Sequence, residues 1–226
     1  MGTWIKWLES FEKDLLETLA PKELPKSKLL IAIGGLSGVG KDTLAHSLQR
    51  LFKEYFGKNL NIIVAGQTLR QLARQNGFHE SDLDEYMKKI TAERFAEEVD
   101  RRIEQETLRK ALNDEGEIFV GRMAPFTIGD WGFTVWLEAD RKAIAKRIVN
   151  DPNRAEFGMD ERKILKKLYK RDKTDSTRLE DVYSIDINEM VPKVNLIVNT
   201  THLDIIETAE LAYSSAISHF QGLNLV

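Results

Sequence analysis

The run GGLSGVGKDT at residues 34–43 constrains this chain more than any other stretch. It follows an apolar segment, KLLIAI at residues 28–33. It precedes a segment in which Leu44, Leu48, Leu51, Phe52 and Tyr55 form one helical face. Strand, glycine-rich turn and helix is the context in which G-x-x-x-x-G-K cradles phosphate, and Gly35, Gly40 and Lys41 satisfy that pattern. The physics is local. Glycines let the backbone curl until successive N–H groups face inward, and the helix behind adds its free N–H groups and positive dipole end. Lys41 adds a point charge that can reach a β- or γ-phosphate. The cofactor-binding set is therefore Gly35, Ser37, Gly38, Val39, Gly40, Lys41, Asp42 and Thr43. A dinucleotide fingerprint, G-x-G-x-x-G, fails because Thr43 stands at its last glycine.

The residue after the loop lysine is ordinarily Ser or Thr, whose hydroxyl ligates Mg²⁺. Asp42 stands there, followed by Thr43. Mg²⁺ takes oxygen ligands and keeps several waters, so both residues are candidate metal ligands.

Four more short apolar runs follow: NIIVA (61–65), EIFVG (117–121), FTVWLE (133–138) and VNLIV (194–198). Continuous apolar runs of this length suit strands buried on both faces. Helical patterns lie between them, Phe95, Val99, Ile103 and Leu108 forming one face, and Ser81 with Asp84 offers a capping box. The alternation predicts an α/β fold: a doubly wound, five-stranded parallel sheet with helices on both faces. In such a sheet ligands bind beyond the carboxyl ends of the strands. Arg70 comes just after the second strand and Arg122 just after the third, so both are expected to share a crevice with the loop. Taken singly, each is as well read as a surface ion-pair residue.

Residues 141–178 are dense in Lys, Arg and Asp, with NDPNRAEFG at 150–158. Charge patterning reads this as a solvated helical pair; a basic lid over an anionic ligand is the functional alternative. Within it, Arg171, Asp175 and Arg178 share a helix face at i, i+4, i+7.

Residues 1–27 read as an amphipathic helix and a linker. Trp4, Trp7, Leu8, Phe11, Leu15 and Leu19 make the apolar stripe, and Pro21 ends it. The acidic polar face would not attract an anionic membrane. The stripe is expected to dock on the body, on a second copy of the chain, or on another partner. Residues 28–226 form the second unit.

Composition narrows the classes further. The 33 Lys and Arg stand against 36 Asp and Glu, a net charge of −3, which argues against a nucleic-acid binder. The absence of cysteine excludes disulfides and thiolate chemistry. Neither a membrane-length apolar run nor a secretory signal pattern is visible, so a soluble, cytoplasmic protein is expected.

The Gly66 and Arg70 helix start, the Gly121–Arg122 pair, and Arg171, Asp172, Asp175 and Arg178 in R-D-x-x-D-x-x-R together resemble the cytidylate kinases among the P-loop nucleoside monophosphate kinases. VYSIDINE (182–189) and LIVNTT (196–201) resemble the tail of the shorter archaeal type, and the similarity spans about residues 29–206. The resemblance implies ATP with Mg²⁺ as cofactors and a nucleoside monophosphate, CMP or dCMP, as substrate. It implies Lys41, Arg122 and Arg171 as catalytic residues. Arg70, Arg122, Arg171, Asp175 and Arg178 would hold the acceptor. It also implies a monophosphate-binding subdomain at about 66–112 and a lid at about 147–172, with Arg147 and Arg154 of the lid as weaker candidates for approaching the transferred phosphoryl group. Ala65, Gln67, Met123 and Asp42 depart from the family pattern. Those departures leave two alternatives open: a P-loop kinase for another small acceptor, and a nucleotide-binding module with reduced catalysis.

Overall fold

The computed structural model describes residues 28–79, 86, 89, 96–113, 116–152, 156–183 and 191–226. The N-terminal stripe, the Ser81 capping box, Phe95 and Arg154 lie outside them.

Among the described residues, five strands form one parallel sheet. They are β1 (Leu29–Gly35), β2 (Asn61–Val64), β3 (Gly116–Val120), β4 (Phe133–Glu138) and β5 (Leu196–Asn199), in the order β2-β3-β1-β4-β5. The seven helices between and after them are α1 (Lys41–Phe56), α2 (Ala65–Gln75), α3 (Ala96–Asn113), α4 (Ala124–Ile128), α5 (Arg141–Asn150), α6 (Glu161–Tyr183) and α7 (Ile205–Gln221). Each predicted strand is present within two residues of its expected bounds. Ala65, grouped with the second strand from sequence, instead opens α2 directly.

β1 shows why its run is continuous rather than alternating. All seven of its residues are buried, because helices cover both faces. Leu29, Ile31 and Ile33 point to the side where Leu44, Leu48 and Phe52 of α1 meet Ala212, Ala216 and Phe220 of α7. Ile144 of α5 and Leu168 of α6 complete that layer. Leu30 and Ala32 point the other way, against Leu108, Ala111 and Leu112 of α3 and Ala124 and Ile128 of α4. One strand thus supplies both cores through its period of two. Fully burying each large apolar side chain contributes about 1.5–3 kcal/mol. Phe52 sits at the densest point, edge-on to Tyr213 at 5.4 Å and to Phe220 at 6.1 Å between ring centroids.

Tyr55, expected on the buried face of α1, is 65% exposed. It lies at the rim beside Tyr213, where a phenol can keep its hydroxyl in water. The basic region 141–178 is a helical pair, α5 and α6, yet it is not only a solvated one. Ile144, Ala145, Ile148, Ile164 and Leu168 seat it on the main core. α7 opens with a full capping box: Glu207 N–H donates to Asp204 Oδ1, and Asp204 N–H donates to Glu207 Oε2, both at 2.8 Å.

Candidate active site

The sheet order puts the site where physics expects it. β1 lies between β3 and β4, and the chain leaves β1 one way to α1 and β3 the other way to α4. The connections therefore diverge beyond the carboxyl ends of these two strands, at the switch point of the sheet. A crevice of about 690 Å³ opens there.

The loop after β1 forms one wall. Gly38 has φ +81, and a Cβ on it would stand 2.6 Å from Ile144 Cγ2, so both backbone and space demand glycine. Gly40 has φ +98 and is the N-cap of α1 without any side-chain cap. Leu44 N–H donates to Gly40 O at 3.0 Å, so the first turn of α1, with its positive dipole end, begins at the crevice. Lys41 Nζ arches over the loop and donates to the carbonyls of Gly35 (2.9 Å) and Leu36 (2.8 Å). Gly35, Ser37, Gly38, Gly40, Lys41, Asp42 and Thr43 all line the crevice. Val39 is the exception among the predicted loop residues. Its side chain is 3% exposed and packs in the main core, leaving only its backbone to the loop.

The opposite wall comes from three separate elements. Arg70 projects from the second turn of α2, Arg122 from the turn after β3, and Arg171 from α6. Gly121 N–H donates to Ile33 O across the strand ends at 3.2 Å, which ties the Arg122 turn to β1 beside the loop. Three guanidiniums and an ammonium line one cavity, and such groups pair well with anionic oxygens. Asp175 and Arg178 lie on α6, but their side chains are outside the described residues. Arg147 does not line the crevice. Its guanidinium donates to the carbonyls of Thr200, Thr201 and Leu203, fastening α5 to the turn after β5.

Two lining residues escaped the sequence pattern. Asp100 and Glu104 of α3 are 2% and 5% exposed, yet both line the crevice. Glu104 Oε2 accepts from Thr127 Oγ1. The signal was present: Val99–Asp100, Ile103–Glu104 and Thr107–Leu108 repeat every four residues, so the acids ride on the edge of the apolar face. The second omission is Arg141, whose Nε lies 2.7 Å from Asp172 Oδ2 with both side chains largely buried.

A family model described as an AAA domain (AAA_18) matches residues 31–166. The chain belongs to this AAA_18 family. Among its relatives, the cytidylate kinase of Pyrococcus horikoshii is 29% identical over 182 residues, covering 79% of this chain and 83% of that protein. The cytidylate kinase of Methanocaldococcus jannaschii is 28% identical over 198 residues, covering 85% and 99%. Together with the AAA_18 match, these assign the chain to the cytidylate kinase family, a nucleoside monophosphate kinase class of phosphotransferase. The AAA_18 fold is shared with a crystal structure of an uncharacterized protein from Eubacterium ventriosum ATCC 27560, at a TM-score of 0.60 and 17% identity, covering 84% of this chain and 99% of that one.

Proposed function

We propose that the crevice transfers the γ-phosphoryl group of ATP to a nucleoside monophosphate, CMP or dCMP before others, giving ADP and the diphosphate. The observation that carries this reading is the pairing of walls: a phosphate-binding loop faces Arg70, Arg122 and Arg171 across one cavity. In this reading the loop N–H groups and Lys41 hold the triphosphate. Arg70 and Arg122 grip the acceptor phosphate, Arg171 lies between the two anions, and Asp175 and Arg178 meet the acceptor's sugar side.

No strong general base is required. A nucleoside monophosphate has a second phosphate pKa near ~6 and is mostly dianionic at neutral pH. The barrier is one of alignment and of charge gathering on the transferring oxygens. Lys41, Arg122 and Arg171 supply fixed positive charge there at no reorganisation cost. Asp42 and Thr43 present hard oxygen donors on the same wall, the chemistry Mg²⁺ favours, and they would hold it. When bound, Mg²⁺ neutralises charge on the β- and γ-phosphates. Residues of about 66–112 serve as the monophosphate-binding subdomain and those of about 147–172 as the lid that excludes water.

The acceptor's base is the finer question. The relatives' names point to cytidylate. Asp100 and Glu104 support that choice, because they line the same crevice with carboxyl oxygens, which accept hydrogen bonds from N–H donors. The amino group of cytosine supplies such donors, whereas uracil presents a carbonyl at the same position. A coupled ADP-release assay across the common nucleoside monophosphates tests the reading. CMP and dCMP are expected to give the highest kcat/KM, with UMP well below. ATP binding with no ADP formed for any monophosphate would overturn it.

A further inference from the structure

Behind the phosphate-binding loop stands the α5–α6 pair, and one residue joins all three. Arg141 opens α5. Its Nε pairs with Asp172 Oδ2 at 2.7 Å, with side chains only 15% and 14% exposed, and its Nη1 donates to the loop carbonyl of Ser37 at 3.4 Å. One turn further along α5, Ile144 packs against Gly38 so closely that a methyl group there would collide with it. Ile148 and Leu168 back the same glycine. The loop is thus braced from behind by the two helices rather than standing free.

Asp172 is the immediate neighbour of Arg171. Successive residues on a helix project about 100° apart, so an anchor on one sets the direction of the other. Asp172 is held inward by Arg141 while Arg171 lines the crevice. The acceptor-side arginine and the donor-side loop therefore share one mechanical link, Arg171–Asp172–Arg141–Ser37.

We propose that Arg141 is a positioning residue that couples the two halves of the site, so that seating one nucleotide helps to seat the other. This rests on the kinase reading above, in which Arg171 lies between the two anions. A ligand that fixes α6 through Arg171 fixes Arg141 and, with it, the loop. The loop then has less ordering left to lose when the second ligand arrives. Linkage makes the effect reciprocal: the acceptor tightens ATP by the factor by which ATP tightens the acceptor. Arginine suits the task because its fork can hold a carboxylate and a carbonyl at once, whereas lysine offers a single point charge.

The test is calorimetric titration of the full chain with the β,γ-imido analogue of ATP and Mg²⁺, with and without saturating CMP. In the wild type, CMP is expected to tighten the analogue about 5-fold or more. In Arg141→Gln that factor falls to within about twofold of unity, and Asp172→Asn behaves alike. The double variant adds nothing further, as expected for one shared link. Arg141→Lys separates positioning from mere structure: it keeps a charge for Asp172 and so the thermal midpoint, yet loses the coupling. Coupling that survives in all three variants overturns the inference, as does its absence from a wild type that binds both ligands. A wild type that binds neither ligand overturns the kinase reading, and this inference with it.

Discussion

The proposed donor wall of the crevice comes from one run of the chain, Gly35 to Thr43, while the proposed acceptor wall is gathered from α2, the turn after β3, and α6. The first needs only a strand, a turn and the start of a helix. The second exists only if the sheet adopts the order β2-β3-β1-β4-β5, which places β3 beside β1 and β2 next after β3. A site built this way has one half fixed by local backbone conformation and one half fixed by tertiary packing. Damage to the two halves should differ in size and in the ligand that reports it.

The largest effect is expected in the donor wall. Lys41→Ala removes the loop's ammonium charge while leaving the fold of β1 and α1 intact. Turnover should fall about 10²–10³-fold in the ADP-release assay, the scale on which a preorganised charge donor acts. Acceptor affinity, measured by direct titration, should hardly change. Near-normal turnover in Lys41→Ala would break the assignment of this wall to the triphosphate.

Arg122→Ala comes next. It should lower kcat/KM for the acceptor by roughly 10²-fold and leave binding of an ATP analogue within a few-fold of wild type. Arg122→Lys should recover only part of the loss, because an ammonium cannot make the paired hydrogen bonds that a guanidinium makes to phosphate. If both variants weakened ATP and acceptor equally, the two walls would not be separate sites.

This division also explains what was legible in the sequence. The loop, the five strands and the helical pair could be read because each is written in consecutive residues: apolar runs, a glycine spacing, a charge pattern. Arg70 and Arg122 could be placed because strand ends converge in any doubly wound sheet. Asp100 and Glu104 could not: their four-residue spacing marks the edge of an apolar face, but it says nothing of what that face of α3 meets. Arg141 was equally silent. It stands in a run of charges, and only the packing of α5 on α6 distinguishes it from Lys142, which remains exposed. Arg147 shows the converse. The family resemblance implied a phosphate ligand there, and the fold directs its donors to three backbone carbonyls instead.

The donor wall can be probed more finely through stability. Gly38 and Gly40 both have positive φ, but only Gly38 has a neighbour where a Cβ would go. Gly40→Ala should meet backbone strain of about 1–2 kcal/mol alone. Gly38→Ala meets similar strain plus the clash with Ile144, which overpacking data put at about 1–3 kcal/mol more. Urea unfolding of the two variants isolates the difference. Equal losses would mean that α5 yields easily, and would weaken the view that it braces the loop.

The smallest effect lies at the other end of the sheet, at His219 of α7. Its ring packs against Phe133 of β4 at 5.6 Å and against Phe220 at 5.2 Å. Burial there pushes its pKa below the usual histidine value of 6.5, since the apolar surroundings disfavour the charged form. The sign follows from proton counting. Between the lowered native pKa and 6.5 the unfolded chain binds more protons than the folded one, so stability rises with pH through that window and declines as pH falls below it. Thermal midpoints of the wild type should therefore drop between pH 7.5 and pH 5.5. His219→Gln, which cannot titrate, should show a shallower drop over the same interval. Parallel slopes in the two proteins would mean that the ring is charged in place, and that this part of the core is wetter than its aromatic lining implies.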